Sequence, residues 1–144
     1  TYMISNINYK IRYVNNADKD FWFSLDKHLS VAQFEKKVRD RQGYILSVDD
    51  TPIAILRYNL FWDNTPFCTM LYVSQSYQNR GYGTALINYW ENEMQTLGYD
   101  LLLVSTRADE TSQYFYRKID YIDCGALDIV NQATELILYK RINN

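Results

Sequence analysis

From Tyr9 to Val14 the chain alternates apolar and basic side chains (Tyr-Lys-Ile-Arg-Tyr-Val), a period of two that predicts a half-exposed opening strand. Asn15-Asn16-Ala17-Asp18 stops it. Between Asp18 and about Arg41 the period lengthens, with Phe21, Leu25, Val31, Phe34 and Val38 at helical spacing and a break at His28-Leu29-Ser30. Two helices are expected, the second capped by Ser30, with Gly43 as its terminating glycine. Tyr44–Val48 and a partner from Ile53 to about Trp62 read as a hairpin around Asp49-Asp50-Thr51-Pro52. Asp63-Asn64-Thr65-Pro66 is the next turn. The nearly unbroken apolar run Phe67–Val73 then reads as a central strand covered on both faces.

A loop, Ser74–Arg80, leads into a long helix whose apolar stripe is Leu86, Tyr89, Trp90, Met94 and Leu97, with Gly98 at its end. Leu101–Val104 reads as a buried strand, Asp109 as the cap of a helix running to about Lys118, and Tyr121–Leu127 and Leu136–Arg141 as two closing strands. The order is β-α-α-β-β-β-α-β-α-β-β, an α/β chain. No repeat, low-complexity tract or linker interrupts residues 1–144, so a single domain is expected.

Charge narrows the function classes. Fifteen basic and seventeen acidic side chains leave a net charge of −2, which offers no grip on nucleic acid or an anionic membrane. No apolar run approaches the ~20 residues of a membrane span, and Thr1-Tyr2-Met3-Ile4-Ser5 lacks a basic segment followed by an apolar one. Cys68 and Cys124 lie in apolar, strand-like runs and read as small buried hydrophobes, so a reducing, cytoplasmic location is the expectation. A single histidine argues against metal or triad chemistry, and no metal is expected. Fourteen tyrosines mean that a tyrosine needs more than existence to be assigned a reaction.

The segment with chemical content is Gln78-Asn79-Arg80-Gly81-Tyr82-Gly83-Thr84, between a buried strand and an amphipathic helix. A first helical turn presents unpaired N–H groups and a positive dipole end, and glycines let a diphosphate approach that backbone. Arg80 adds a fixed positive charge. The same residues also suit a tight turn entering a helix. A dinucleotide fingerprint would need glycine where Leu86 stands, and the Gly-Lys-Ser/Thr of a phosphate loop occurs nowhere.

The run from Met70 to Tyr121 resembles the GNAT superfamily of acyl-CoA N-acyltransferases, whose signature Gln/Arg-x-x-Gly-x-Gly/Ala is matched by Gln78, Gly81 and Gly83. A second segment, similar to Asn-x-x-Ala-x-x-Phe-Tyr-x-Lys-x-Gly-Phe, is matched in part by Phe115-Tyr116-Arg117-Lys118 and Tyr121, with Asp109, Ser112 and Asp120 departing from it. The resemblance implies a mixed, mostly antiparallel sheet of about seven strands splayed between strands 4 and 5, flanked by about four helices. It implies acetyl-CoA as co-substrate, its pantetheine beside the backbone of Leu71, Tyr72 and Val73. Gln78, Asn79, Arg80, Gly81, Tyr82, Gly83 and Thr84 would surround the pyrophosphate, with Asp109 and Ser112 as further contacts. The implied activity is N-acetyl transfer by direct attack of an amine, from a small molecule or a peptide, and a homodimer is compatible with it. The alternative is a CoA-binding or amine-sensing module of the same fold with little or no transfer.

Tyr116 matches the tyrosine that the family commonly uses as general acid; with so many tyrosines, packing is the competing role. Many relatives place a glutamate on the fourth strand, and Cys68-Thr69-Met70-Leu71-Tyr72 has none. Asp63 is the nearest candidate base, against the role of a solvated turn aspartate. His28, Arg57 and Trp62 are the candidates for the acceptor side, each with a plain surface or pairing role as competitor.

Overall fold

The computed structural model describes residues 8–142; the N-terminal reading of Thr1–Ser5 lies outside them. Among the described residues the elements are β1 (Tyr9–Tyr13), α1 (Lys19–Leu25), α2 (Val31–Asp40), β2 (Gly43–Val48), β3 (Thr51–Phe61), β4 (Thr65–Val73), α3 (Tyr82–Thr96), β5 (Leu101–Arg107), α4 (Ser112–Lys118), β6 (Ile122–Leu127) and β7 (Glu135–Arg141). The strands form one sheet in the order β1-β2-β3-β4-β5-β7-β6. The β1–β2, β2–β3, β5–β7 and β6–β7 pairs are antiparallel. The β4–β5 pair is parallel, with a register only two pairs long, Phe67↔Leu103 and Cys68↔Val104. This is the mixed, seven-stranded, four-helix fold that the sequence led us to expect. No helix among the described residues is long and apolar enough to cross a membrane.

Two compact units make up the chain, residues 8–58 with 70–90 and residues 59–69 with 91–142. In the first, Val14, Trp22, Phe34, Ile45 and Ile55 form a buried cluster, with Trp22 and Phe34 edge to face at 5.8 Å. Helix entry is prepared locally: the Asn15 side chain accepts from the Ala17 N–H at 2.9 Å, and the Asp18 carboxylate accepts from the Asn15 N–H at 2.8 Å. Arg12 holds Asp18 from the strand side at 2.7 and 2.8 Å. Ser30 caps α2 as expected, accepting from the Gln33 N–H at 3.2 Å.

Gly43 does not terminate α2. The left-handed residue is Arg41 (φ 55°), and Gly43 opens β2, where a Cβ would stand 2.9 Å from Val14 Cγ1 and 3.3 Å from the Trp22 ring. Glycine is therefore required there by close approach of the core, not by backbone sign.

One charge lies inside this unit. Lys37 on α2 is buried, and its ammonium donates to the Tyr58 carbonyl at 2.5 Å and to Gln42 Oε1 at 3.4 Å. Burial, with the charges of Arg57 and Lys36 beside it, pulls Lys37 down from 10.5 to about 8. The native state thus binds fewer protons than the unfolded chain from about pH 8 to 10.5, and Lys37 makes stability rise with pH across that window. Urea midpoints measured from pH 7.5 to 9.5 should therefore rise more in the wild type than in Lys37→Met. Identical slopes would remove this account of Lys37.

α3 begins in the first unit and ends in the second. Its buried face is Tyr82, Leu86, Ile87, Trp90, Glu91 and Met94, whereas Tyr89 is 40% and Leu97 61% exposed. The expected stripe is corrected at those two positions: at 100° per residue Tyr89 falls just outside the arc that holds 82, 86, 90 and 94, and Leu97 lies beyond Thr96, the last helical residue. Gly98 (φ 97°) closes the helix as expected, with the Tyr99 N–H on the Met94 carbonyl at 3.0 Å.

In the second unit β5 alternates, burying Leu102, Val104 and Thr106, and β7 contributes Leu138. β6 is the outermost strand and all six of its residues are exposed, with a bulge between Asp123 and Gly125. Cys124 is exposed accordingly, against the expectation of two buried cysteines; Cys68 is buried. β4 also departs from its expected full coverage, since burial alternates along it and Tyr72 is 39% exposed.

Candidate functional site

The loop after β4 is built from short-range contacts within the first unit. The Ser74 N–H donates to the Ile53 carbonyl at 2.7 Å, and a 3-10 turn covers Gln75–Tyr77. Gln78 is extended (φ −70°, ψ 158°), and its side-chain amide donates to the Val73 carbonyl at 2.8 Å. This bond ties the loop to the last residue of β4. Asn79 (φ 62°) and Gly81 (φ 91°) then take positive φ on either side of Arg80, which does not. Alternation of backbone sign turns successive N–H groups toward one side, the geometry of an anion-binding nest.

α3 follows directly. Its first helical bond runs from the Ala85 N–H to the Gly81 carbonyl at 3.0 Å, so the N–H groups of Tyr82, Gly83 and Thr84 belong to the first turn, which has no intrahelical acceptors. The Arg80 guanidinium is exposed and lies over the Tyr77 ring at 5.7 Å. Tyr82 is buried with its ring against Tyr9 (6.4 Å) and Tyr77 (6.2 Å), so only its backbone is available to a ligand. Leu71 and Val73 are half-buried on β4 beside exposed Tyr72. Nest, dipole end, arginine and two glycines converge on seven residues, and together they suit a diphosphate.

A second group of residues lies in the other unit. Tyr116 on α4 is 4% exposed, hydrogen-bonded to Cys68 of β4, and flanked edge-on by Phe115 (5.2 Å) and Tyr121 (5.6 Å). Burial, and then Cys68, hold its phenol well above the ordinary value of 10.0, so it stays protonated at neutral pH. Tyr121 donates to Glu91 at 2.7 Å, and Lys140 donates to the same carboxylate at 3.1 and 3.3 Å. Burial and the Glu91 charge raise Tyr121 as well.

Asp109 does not cap α4. Thr111 stands at the cap position without a side-chain bond, and Asp109 is taken by Arg107 at 3.1 and 2.8 Å two residues upstream. The Ser112 hydroxyl shares a 2.8 Å hydrogen bond with Thr106. Gln113 ties the loop to the helix instead, donating to the Ala108 and Glu110 carbonyls at 2.8 and 2.9 Å. Sequence reasoning missed it, because a glutamine in a short helix looks like surface.

The acceptor-side candidates divide between the units. Arg57 Nε donates to Asp26 at 2.7 Å, and Asp26 also accepts from Trp22 Nε1 and the His28 N–H, each at 3.1 Å. Asp26 is fully buried and was not anticipated; it links Arg57 to the backbone of His28, whose ring is exposed. Burial would raise this carboxyl, and Arg57 with the two N–H donors outweighs that and lowers it. Trp62 and Asp63 occupy the β3–β4 turn in the other unit, both exposed. No three His, Cys, Asp or Glu side chains among the described residues could hold a metal ion.

Residues 11–121 match the family model described as Acetyltransferase (GNAT) family. Among solved structures, the ribosomal-protein-alanine N-acetyltransferase of Brucella melitensis superposes with a TM-score of 0.79 at 16% identity, over 92% of this chain and 99% of that one. Naa50 of Arabidopsis thaliana, in complex with the bisubstrate analogue CoA-Ac-MVNAL, gives 0.81 at 11% identity, over 93% and 99%. N-acetylglutamate synthase of Neisseria gonorrhoeae, complexed with coenzyme A and N-acetyl-glutamate, gives 0.81 at 16% identity, over 97% of this chain and 36% of that one. No curated protein sequence matches the chain.

Proposed function

The chain belongs to the acetyltransferase (GNAT) family, and from that premise we propose that it moves an acetyl group from acetyl-CoA to a primary amine within one domain, residues 1–144. The observation that carries this reading is the nest at Asn79–Gly81 running into the first turn of α3. The N–H groups from Arg80 to Thr84 hold the diphosphate, Arg80 adds charge, and Gln78 keeps the loop on the end of β4 through the Val73 carbonyl. Leu71, Tyr72 and Val73 offer main chain to the pantetheine. Asp109 and Ser112 shape the β5–α4 loop through Arg107 and Thr106.

Acetyl-CoA supplies a thioester, an acyl carbon that a neutral amine attacks directly. Tyr116 keeps a proton on its phenolic oxygen and gives it to the sulfur as the carbon–sulfur bond breaks. A free thiol has a pKa near ~8.5 and burial holds the Tyr116 phenol above the ~10 of a free phenol, so the proton moves only as negative charge builds on the departing sulfur. Asp63, exposed at its turn, takes the proton that the attacking nitrogen loses, and that proton passes through solvent to restore the phenol of Tyr116 after the thiol leaves. Arg57, held by Asp26, and His28 line the acceptor side.

A second reading has one observation in its favour: β4, Thr65–Val73, contains no carboxylate. On that reading the chain binds CoA and does not transfer. Release of free thiol from acetyl-CoA in the presence of a panel of primary amines separates the two. The transferase reading expects amine-dependent release in the wild type and none from the protein with acetyl-CoA and no amine. Gly81→Val should raise KM for acetyl-CoA at least ~10-fold, since a β-branched residue is excluded at φ 91°. An unchanged KM would take the nest out of cofactor binding.

A further inference from the structure

Two hairpin turns of this chain each place two consecutive residues at positive φ. Between β2 and β3, Asp49 (φ 48°) and Asp50 (φ 65°) both take the left-handed conformation; between β3 and β4, Trp62 (φ 55°) and Asp63 (φ 63°) do so. The Asn64 N–H closes the second turn on the Phe61 carbonyl at 3.2 Å. Turns with two consecutive left-handed residues favour asparagine, aspartate and glycine, and a bulky aromatic in the first of those positions is strained. Aspartate pairs meet that preference and Trp62 does not.

Nor does Trp62 repay the strain by packing in the core. It is 79% exposed, whereas Trp22 and Trp90 are completely buried. Its ring lies on Phe61 at 4.6 Å, and Phe61 in turn stands edge-on to Phe67 at 5.8 Å, so the indole is presented on an aromatic base. Beside it Asp63 is exposed, and no ion pair among the described residues includes it. Strain retained at an exposed site points toward a binding role.

We propose that the β3–β4 tip docks a peptide segment carrying an unmodified lysine side chain. The indole face attracts an alkylammonium group and the Asp63 carboxylate supplies the countercharge. The tip residues Phe61 to Asn64 are all exposed, whereas small ligands are held in enclosed, concave sites, and exposed tryptophan is a frequent anchor of protein–protein contacts. The docked partner is therefore a peptide and not a free polyamine. Only the further step, that this peptide is the acetyl acceptor, rests on the transferase reading.

Trp62 is the sole exposed tryptophan, so acrylamide quenching reports its surroundings directly. A short lysine-bearing peptide should lower the quenching constant; its acetyl-lysine counterpart and spermidine should not. Trp62→Asn keeps a residue suited to the turn and should raise Tm while weakening binding of the lysine peptide, read by calorimetry, at least ~10-fold. A ring with a structural role would lower Tm instead. Equal binding of the acetyl-lysine peptide, equal protection by spermidine, or unchanged affinity of Trp62→Asn would overturn the docking proposal. Protection without thiol release from acetyl-CoA would leave docking intact and overturn the acceptor assignment.

Discussion

Tyr116→Phe should lower kcat for acetyl transfer by ~10²–10⁴-fold and leave KM for acetyl-CoA unchanged. The ring of Tyr116 is packed against Phe115 and Tyr121, and phenylalanine fills the same space, so the substitution removes a proton and little else. The hydroxyl bonds to Cys68 in a buried setting, and that loss has a small effect on stability next to its effect on rate. Because burial raises the phenol, wild-type kcat should show no alkaline fall between about pH 7 and 10, the range in which a free phenol begins to ionise. Steady-state kinetics by thiol release check both statements. A kcat within twofold of wild type would assign Tyr116 to packing.

Asp26→Ala should destabilise the protein by about 3–5 kcal/mol, the usual cost of removing one partner of a buried ion pair. Three donors converge on this carboxylate: the Arg57 guanidinium at 2.7 Å, the Trp22 indole N–H and the His28 backbone N–H. Its removal takes the countercharge from Arg57, whose side chain is 12% exposed, and orphans a donor in the core cluster. Asp26 titrates below its ordinary value in the folded protein. Its stabilisation is therefore complete above the ordinary carboxylate range and is lost as pH falls through the lowered native value. Urea unfolding at neutral pH measures the first effect, and Asp26→Asn should flatten the acid limb of stability against pH. A loss below about 1 kcal/mol for the alanine variant would show that Arg57 and Trp22 are satisfied without it.

The order of elements was legible because each rests on a local period, two for β1 and 3.6 for α2 and α3, punctuated by turn residues that act where they stand. The turn that leads into α3 at Gly81-Tyr82-Gly83 was legible for the same reason. Its nest arises from Asn79 and Gly81 themselves, and its dipole from the helix that follows. What escaped depends on partners distant in sequence. Asp26 reads as a surface residue until Arg57, thirty-one positions away, reaches it, and Glu91 reads as the solvent side of α3 until Tyr121 and Lys140 close on it. Gly43 carries the right residue type for a helix end, yet its reason is Val14 and Trp22. Cys124 looked buried because it lies in a largely apolar, strand-like run, and strand order alone puts it on an edge. At the β3–β4 turn, Asp63 was readable as a turn former, but the strain on Trp62 only became visible beside the turn at Asp49 and Asp50.

Thermal melting with acetyl-CoA, free CoA, ATP and NAD in parallel tests the central claim most directly. A ligand that binds the native state at a hundredfold excess over its Kd adds about 2.7 kcal/mol, a rise in Tm of roughly 5–10 °C for a domain of this size. We expect that rise with acetyl-CoA and CoA, its absence with ATP and NAD, and its reduction to about half or less in Gly81→Val. A Tm unmoved by either CoA species would contradict cofactor binding at the Gly81-Tyr82-Gly83 turn, and with it the transferase reading.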